Sequence, residues 1–274
     1  MKRLYYGLGR RKFIEYILFA VFILFFYGPL FNMLILAFAG EYEYPDVIPQ
    51  TYGFKWWDYV LSRDNLLSSI TASFLVAVLA TAISLAICLP AAYAISRIKF
   101  KGRKLVMFSF LLTNAFPKMG IYTAMAVVFY QLNLMGTLPG VLLVHIVNTM
   151  LFMTWIPAGA FRNVHQQQEE AARDAGAGPV RTFFQITLPM AFPGIAVAAI
   201  YTFLASLEES QGTMLIGLPN IKTMPVELYG IILDFPASGG AVFAIILLIP
   251  SIILLVLLRK YVGPDTLSKG LKLR

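Results

Sequence analysis

The stretch EEAARDAGAGPVRTFFQITLP, Glu169 to Pro189, decides how this chain is read. It holds Glu169, Glu170, Arg173, Asp174 and Arg181, and it is broken by Gly176, Gly178 and Pro179. The segment that follows, MAFPGIAVAAIYTFLASL, is nearly all hydrocarbon. The whole chain is 59% hydrophobic and 13% charged, with a mean hydropathy of +0.74. A soluble domain is roughly half apolar and about a quarter charged. The stretch is therefore a polar interruption in a membrane protein, and its side and shape carry the reading.

A helix needs about 20 mostly apolar residues to cross the hydrocarbon of a bilayer. Six runs qualify: 14–38, 68–96, 105–131, 138–160, 190–212 and 237–258. The fold class expected is all-α, a polytopic membrane protein with about six transmembrane helices. The third run contains Asn114, Pro117 and Lys118, which predicts a bent or broken span, because proline removes a backbone donor. The N-terminus MKRLYYGLGRRKF resembles the charged region of a signal peptide, but the apolar run after it is too long for one, so it reads as a retained first span. The single cysteine, Cys88, excludes an internal disulfide.

Basic residues orient such a protein, because lysine and arginine collect on the cytoplasmic side. Of the 22 lysines and arginines, only Lys55, Lys118, Arg63 and Lys222 lie away from the two termini, the 97–104 connection and the 162–181 segment. Both termini and the Glu169–Pro189 stretch are thus expected in the cytoplasm. The net charge of +8 is a topology signal, and no basic face on a folded module suggests nucleic acid. The opposite side has acids (Glu41, Glu43, Asp46, Asp58, Asp64) and aromatics (Tyr42, Tyr44, Tyr52, Trp56, Trp57, Tyr59) suited to an interface. The last outer loop, about 213–236, is expected to carry a short helix on the rim.

Several chemistries lack their residues. His145 and His165 lie on different elements, so no metal cluster is expected, and His145 reads as a packed or gate-lining residue. No G-x-S-x-G motif occurs. GLPNIKT, Gly217 to Thr223, has Ile221 where a phosphate loop needs glycine before its lysine. The interruption itself predicts a helix over 164–175, a hinge at Gly176–Pro179 and a second short helix opening on Pro179. Two readings of it stand: a rigid element docking on a cytoplasmic partner, or an amphipathic hairpin on the membrane surface with Glu169 paired to Arg173 four residues on.

The same residues resemble the EAA-loop signature of permease subunits of type I binding-protein-dependent ABC importers. That signature places E-A-A before the penultimate span, glycine six residues after the glutamate, then I-x-L-P. Here it is Glu170-Ala171-Ala172, Gly176 and Ile186-Thr187-Leu188-Pro189. The acidic residue that often precedes the glycine sits one place earlier, at Asp174, with Ala175 between. The resemblance implies a bacterial inner-membrane protein with a permease core over 65–260 and its EAA loop at 164–189. Residues 1–64 would hold the N-terminal tail, first span and outer loop, and 261–274 a C-terminal cytoplasmic tail. It implies a cytoplasmic coupling helix in which Glu170, Ala171, Ala172, Asp174, Gly176, Ile186, Leu188 and Pro189 engage an ATPase. Partners implied are an ATPase dimer carrying ATP and Mg, a second permease subunit and an extracytoplasmic solute-binding protein. The chain itself would bind no cofactor and catalyse no reaction.

Charged groups at membrane depth line interiors or cavities. Candidate pathway residues are Glu208 and Glu209 at the end of the fifth run, with Asn114, Lys118, Asn148, Trp155 and Tyr201. The paired acids resemble the polyamine-type branch and favour a small polar solute, polyamine-like or another organic cation. The segment RIKFKGR resembles the sugar-importer branch, so a sugar or polyol is the alternative. An ion-coupled secondary transporter is the alternative of another class, for which paired broken helices would be expected. A scaffold or sensor is a third.

Overall fold

In the computed structural model, residues 10–234 and 237–262 are described. Each apolar run becomes helix, because lipid offers no partner for a backbone N–H or C=O and a helix satisfies both within one segment. In chain order these are α1 (Arg10–Leu36), α2 (Lys55–Leu61), α3 (Asp64–Arg97), α4 (Arg103–Ala115), α5 (Lys118–Gln131) and α6 (Leu138–Asn163). Then come α7 (Gln166–Asp174), α8 (Pro179–Thr182), a π turn (Phe183–Thr187), α9 (Leu188–Leu207), α10 (Gln211–Gly217), α11 (Met224–Asp234) and α12 (Ala237–Val262). A short antiparallel ribbon pairs β1 (Ala39–Glu41) with β2 (Thr51–Tyr52), Ala39 opposite Tyr52. Among the described residues, five helices are long and apolar enough to cross a membrane, or six if α4 and α5 count as one bent span.

That third span breaks where the sequence predicts. α4 and α5 meet at 101°. Phe116, forced away from the helical region by the proline after it, is extended at φ −86° and ψ 151°. Pro117 opens the next helix. Other prolines stay inside helices, as Pro90 in α3 and Pro157 in α6 do, which neighbouring helices make tolerable in lipid.

The fifth span, Pro179–Leu207, starts before the run 190–212 and ends before it does. α9 stops at Leu207, and α10 begins four residues later. The loop 213–236 holds the expected short helix, α11, in full, and it also takes in residues 213–217 of α10. The expected coupling element is also more continuous than helix, hinge, helix, since α8 runs through the π turn straight into α9. The π turn lies just before Pro189, where the ladder loses a donor. The tail residues from 263 on lie outside the described residues.

The chain forms two units, one of the described residues up to Asp64 with Leu228–Leu248, the other of Asn65–Glu227 with the described residues from Ile249. In the first, α1 buries none of its apolar window. In the second, α6 and α9 make the largest helix contact. Lipid tails are as apolar as leucine, so spans associate by close packing and hydrogen bonds. Gly194 shows the closeness, since a Cβ there would lie 2.5 Å from the Cβ of Ala160. Beside this crossing Ala92, Ile95, Phe161, Val164, Ala191 and Ile195 form a buried cluster. Tyr93 meets Phe161 and Phe183 edge-on at 5.4 and 4.9 Å.

Candidate functional site: the Glu169–Pro189 loop and a buried polar knot

α7 ends in a Schellman motif. Gly176 N–H donates to the carbonyl of Arg173 at 2.8 Å, and Ala177 N–H to that of Ala172 at 3.0 Å. The turn needs a positive φ at Gly176, +88°, which L residues adopt at a cost of roughly 1–2 kcal/mol. Open space surrounds Gly176, with nothing within 4 Å of a Cβ there. The glycine is thus required by backbone conformation and not by a crowding neighbour. Pro179 is the first residue of α8, after Gly178 at the N-cap, a position where its missing N–H costs nothing.

Glu170, Ala171, Arg173, Asp174 and Ala175 are exposed, and Ala172 is half-buried. Together they present a short helical face, with Ile186 and Leu188 half-buried and Pro189 exposed at the foot of α9. Glu169 points the other way. It does not pair with Arg173, as the surface hairpin would have it, but with Arg97 at the end of α3, Nη2 to Oε1 2.8 Å. The helical neighbour is the weaker partner because an exposed i,i+4 pair gains only a few tenths of a kcal/mol, whereas Glu169 is buried. Arg97 Nη2 also donates to the carbonyl of Val164 at 2.9 Å, and Thr187 Oγ1 donates to Glu169 Oε1 at 2.8 Å. Arg97 counted only as a topology charge in the sequence, and Thr187 fell on a variable place of I-x-L-P.

At the other end of α6 and α9 lies a second polar group. The ring of His145 is fully buried and bonds Ser206 Oγ through Nδ1 at 2.7 Å and Thr213 Oγ1 through Nε2 at 2.8 Å. Glu209 accepts from Tyr122 Oη at 2.8 Å and from Gly212 N–H at 2.7 Å. This explains the early end of α9: Glu209 turns inward to cap α10 and tie it to α5. Glu208, its neighbour, is exposed. We expect Glu209→Ala to cost about 1–3 kcal/mol, the usual penalty for leaving buried donors unpaired, and Glu208→Ala to cost about 0.5 kcal/mol at most. Unfolding midpoints in detergent check this, and equal shifts would refute it.

The remaining pathway candidates do not converge. Asn114 and Lys118 are exposed on either side of the α4–α5 bend. Asn148 is buried in α6. Trp155 donates its indole N–H to the carbonyl of Met107 in α4 at 3.2 Å. Tyr201 stacks on Phe152, ring centres 6.1 Å apart. Among the described residues, no group of three or more His, Cys, Asp or Glu could hold a metal ion.

Apolar helices of spanning length, one broken span and a polar loop fastened back onto the ends of its neighbours define a polytopic helical membrane protein with a built polar appendage. Residues 83–268 match the family described as the binding-protein-dependent transport system inner membrane component. The chain belongs to that family, whose members are transport permeases and not enzymes. A Streptomyces antibioticus protein named as an ABC transporter permease is 30% identical over 73% of this chain and 89% of its own length. The trehalose transport system permease protein SugB of Mycobacterium tuberculosis is 25% identical over 82% of this chain and 84% of its own. The trehalose/maltose transport system permease protein MalG of Thermococcus litoralis is 26% identical over 93% and 94%. The fold is that of a chain in a bacterial ABC transporter that imports the acidic polysaccharide alginate, with TM-score 0.72 at 18% identity over 93% of this chain and 99% of the other.

Proposed function

We propose that this chain is the membrane-spanning permease subunit of an ATP-driven importer whose solute is a sugar, oligosaccharide or polyol. The observation that carries the solute class is the set of relatives, named for trehalose, maltose, diacetylchitobiose and galactooligosaccharides. The carbohydrate alternative is therefore preferred to the polyamine-like reading. That reading drew on Glu208 and Glu209 among other residues, and the carboxylate of Glu209 is already engaged by Tyr122 and Gly212. The exposed face of α7 (Glu170, Ala171, Asp174) and Gly176 forms the contact for a separate ATPase holding ATP and Mg. The placement of basic residues puts this face and both termini in the cytoplasm. A second permease, related or identical, completes the pathway, and an extracytoplasmic binding protein delivers the solute. A second structure of a bacterial alginate ABC transporter, similar in fold at TM-score 0.73 and 17% identity, is a complex with an alginate pentasaccharide-bound periplasmic protein, and an arrangement of that kind is the one proposed here.

The test is uptake by vesicles containing the chain with its co-purifying ATPase and binding protein. Labelled disaccharides should be taken up with ATP and polyamines should not. Glu208→Gln should leave sugar uptake within about twofold, as expected for an exposed site. Uptake of polyamines that Glu208→Gln removes would restore the cationic reading. Uptake driven by a proton gradient with no ATPase present would end the importer assignment.

A further inference from the structure

Glu169 and Glu170 are adjacent in sequence and opposite in the structure. Glu169 is the one buried residue of α7, and its side chain and that of Arg97 are only 8% and 11% exposed. A nine-residue helix is too short to be stable alone in water, so something must hold it. An apolar anchor would hold it without fixing its rotation. Here the anchor is a carboxylate oxygen that receives both Arg97 and Thr187, and charge-assisted hydrogen bonds of this kind set direction as well as distance. Arg97 closes α3, Val164 follows α6, and Thr187 leads into α9. A turn of one residue about the helix axis, about 100°, would bury Glu170 and expose Glu169 instead.

We propose that Arg97, Glu169 and Thr187 form a clasp that fixes the rotation of α7 and ties it to the ends of α3, α6 and α9, so that a push on its exposed face moves those spans together. Glu169 is then a positioning residue and not a contact for the ATPase. What does the pushing rests on the function proposed above. The clasp itself rests on the geometry.

Two measurements on full-length protein test it. In vesicles with the co-purifying ATPase, Glu169→Ala and Thr187→Val should lower sugar uptake per assembled complex about tenfold, within the usual range for coupling between sites. The ATPase should still co-purify and still hydrolyse ATP. Thr187→Ser, which keeps the donor, should restore uptake, and Glu170→Ala should instead strip the ATPase away. Loss of the ATPase from Glu169→Ala, or unchanged uptake per complex, overturns the clasp. In the second measurement, the chain alone in detergent is treated with trypsin. Cleavage after Arg173 should run about tenfold faster in Glu169→Ala than in the wild type, because cleavage follows local opening. An equal rate overturns the proposal. Should no ATPase join even the wild-type chain, the importer reading fails while the trypsin rates still decide the clasp.

Discussion

Gly176→Val is expected to reduce uptake at least about tenfold, while Gly178→Ala, two residues on, leaves it within about twofold. Both glycines have open space where a Cβ would go, so crowding predicts no difference between them. Backbone conformation does. Gly176 sits at φ +88°, and Gly178 at φ −67° and ψ 165°, which any residue adopts. A β-branched side chain in the left-handed region is a genuine outlier. Avoiding it gives up the two hydrogen bonds that close α7, from Gly176 to Arg173 and from Ala177 to Ala172. A helix of nine residues cannot lose its terminus and keep its exposed face in register. If the two variants transport equally, the loop's conformation is not what couples it.

His145→Ala should lower the unfolding midpoint in detergent, with a loss on the order of 3 kcal/mol. Its ring joins α6 to Ser206 in α9 and Thr213 in α10. Removing it leaves two buried hydroxyls without the ring and a cavity where the ring was. His145→Gln, able to reach one or both hydroxyls, should recover part of the loss. Ser206→Ala removes only one contact and should cost less. A midpoint for His145→Ala equal to the wild type would mean that water or rearrangement replaces the ring at no cost.

The spans were legible because their cause is local: a run of hydrocarbon long enough to cross a bilayer has few other solutions. The bend was legible for the same reason, from Pro117 within one run. The hook closing at Gly176 could be placed from glycine and proline alone. The partner of Glu169 could not. Sequence offers Arg173 one turn away, and the residue that takes the carboxylate is Arg97, 72 positions earlier. Its charge had already been explained as topology. The end of α9 was missed similarly. The pairing of Glu209 with Tyr122 spans 87 positions, and only that pairing shows why an apolar run stops short and why two adjacent acids part ways. The polyamine-like expectation comes from the same two acids, read as a pair, and the fold separates them, Glu208 exposed and Glu209 buried.

The bend between α4 and α5 has one more consequence. A helix end leaves carbonyls, and a helix start leaves amides, that the ladder does not use. Here both ends fall in the middle of a run that hydropathy assigns to the bilayer, with Asn114, Phe116, Pro117 and Lys118 all exposed. Hydrocarbon cannot solvate such groups. The corner at residue 117 must therefore meet water, another polypeptide or a passing hydroxylated molecule. A fold that places a thirsty elbow halfway through its own membrane span keeps one point of that depth open to polar company.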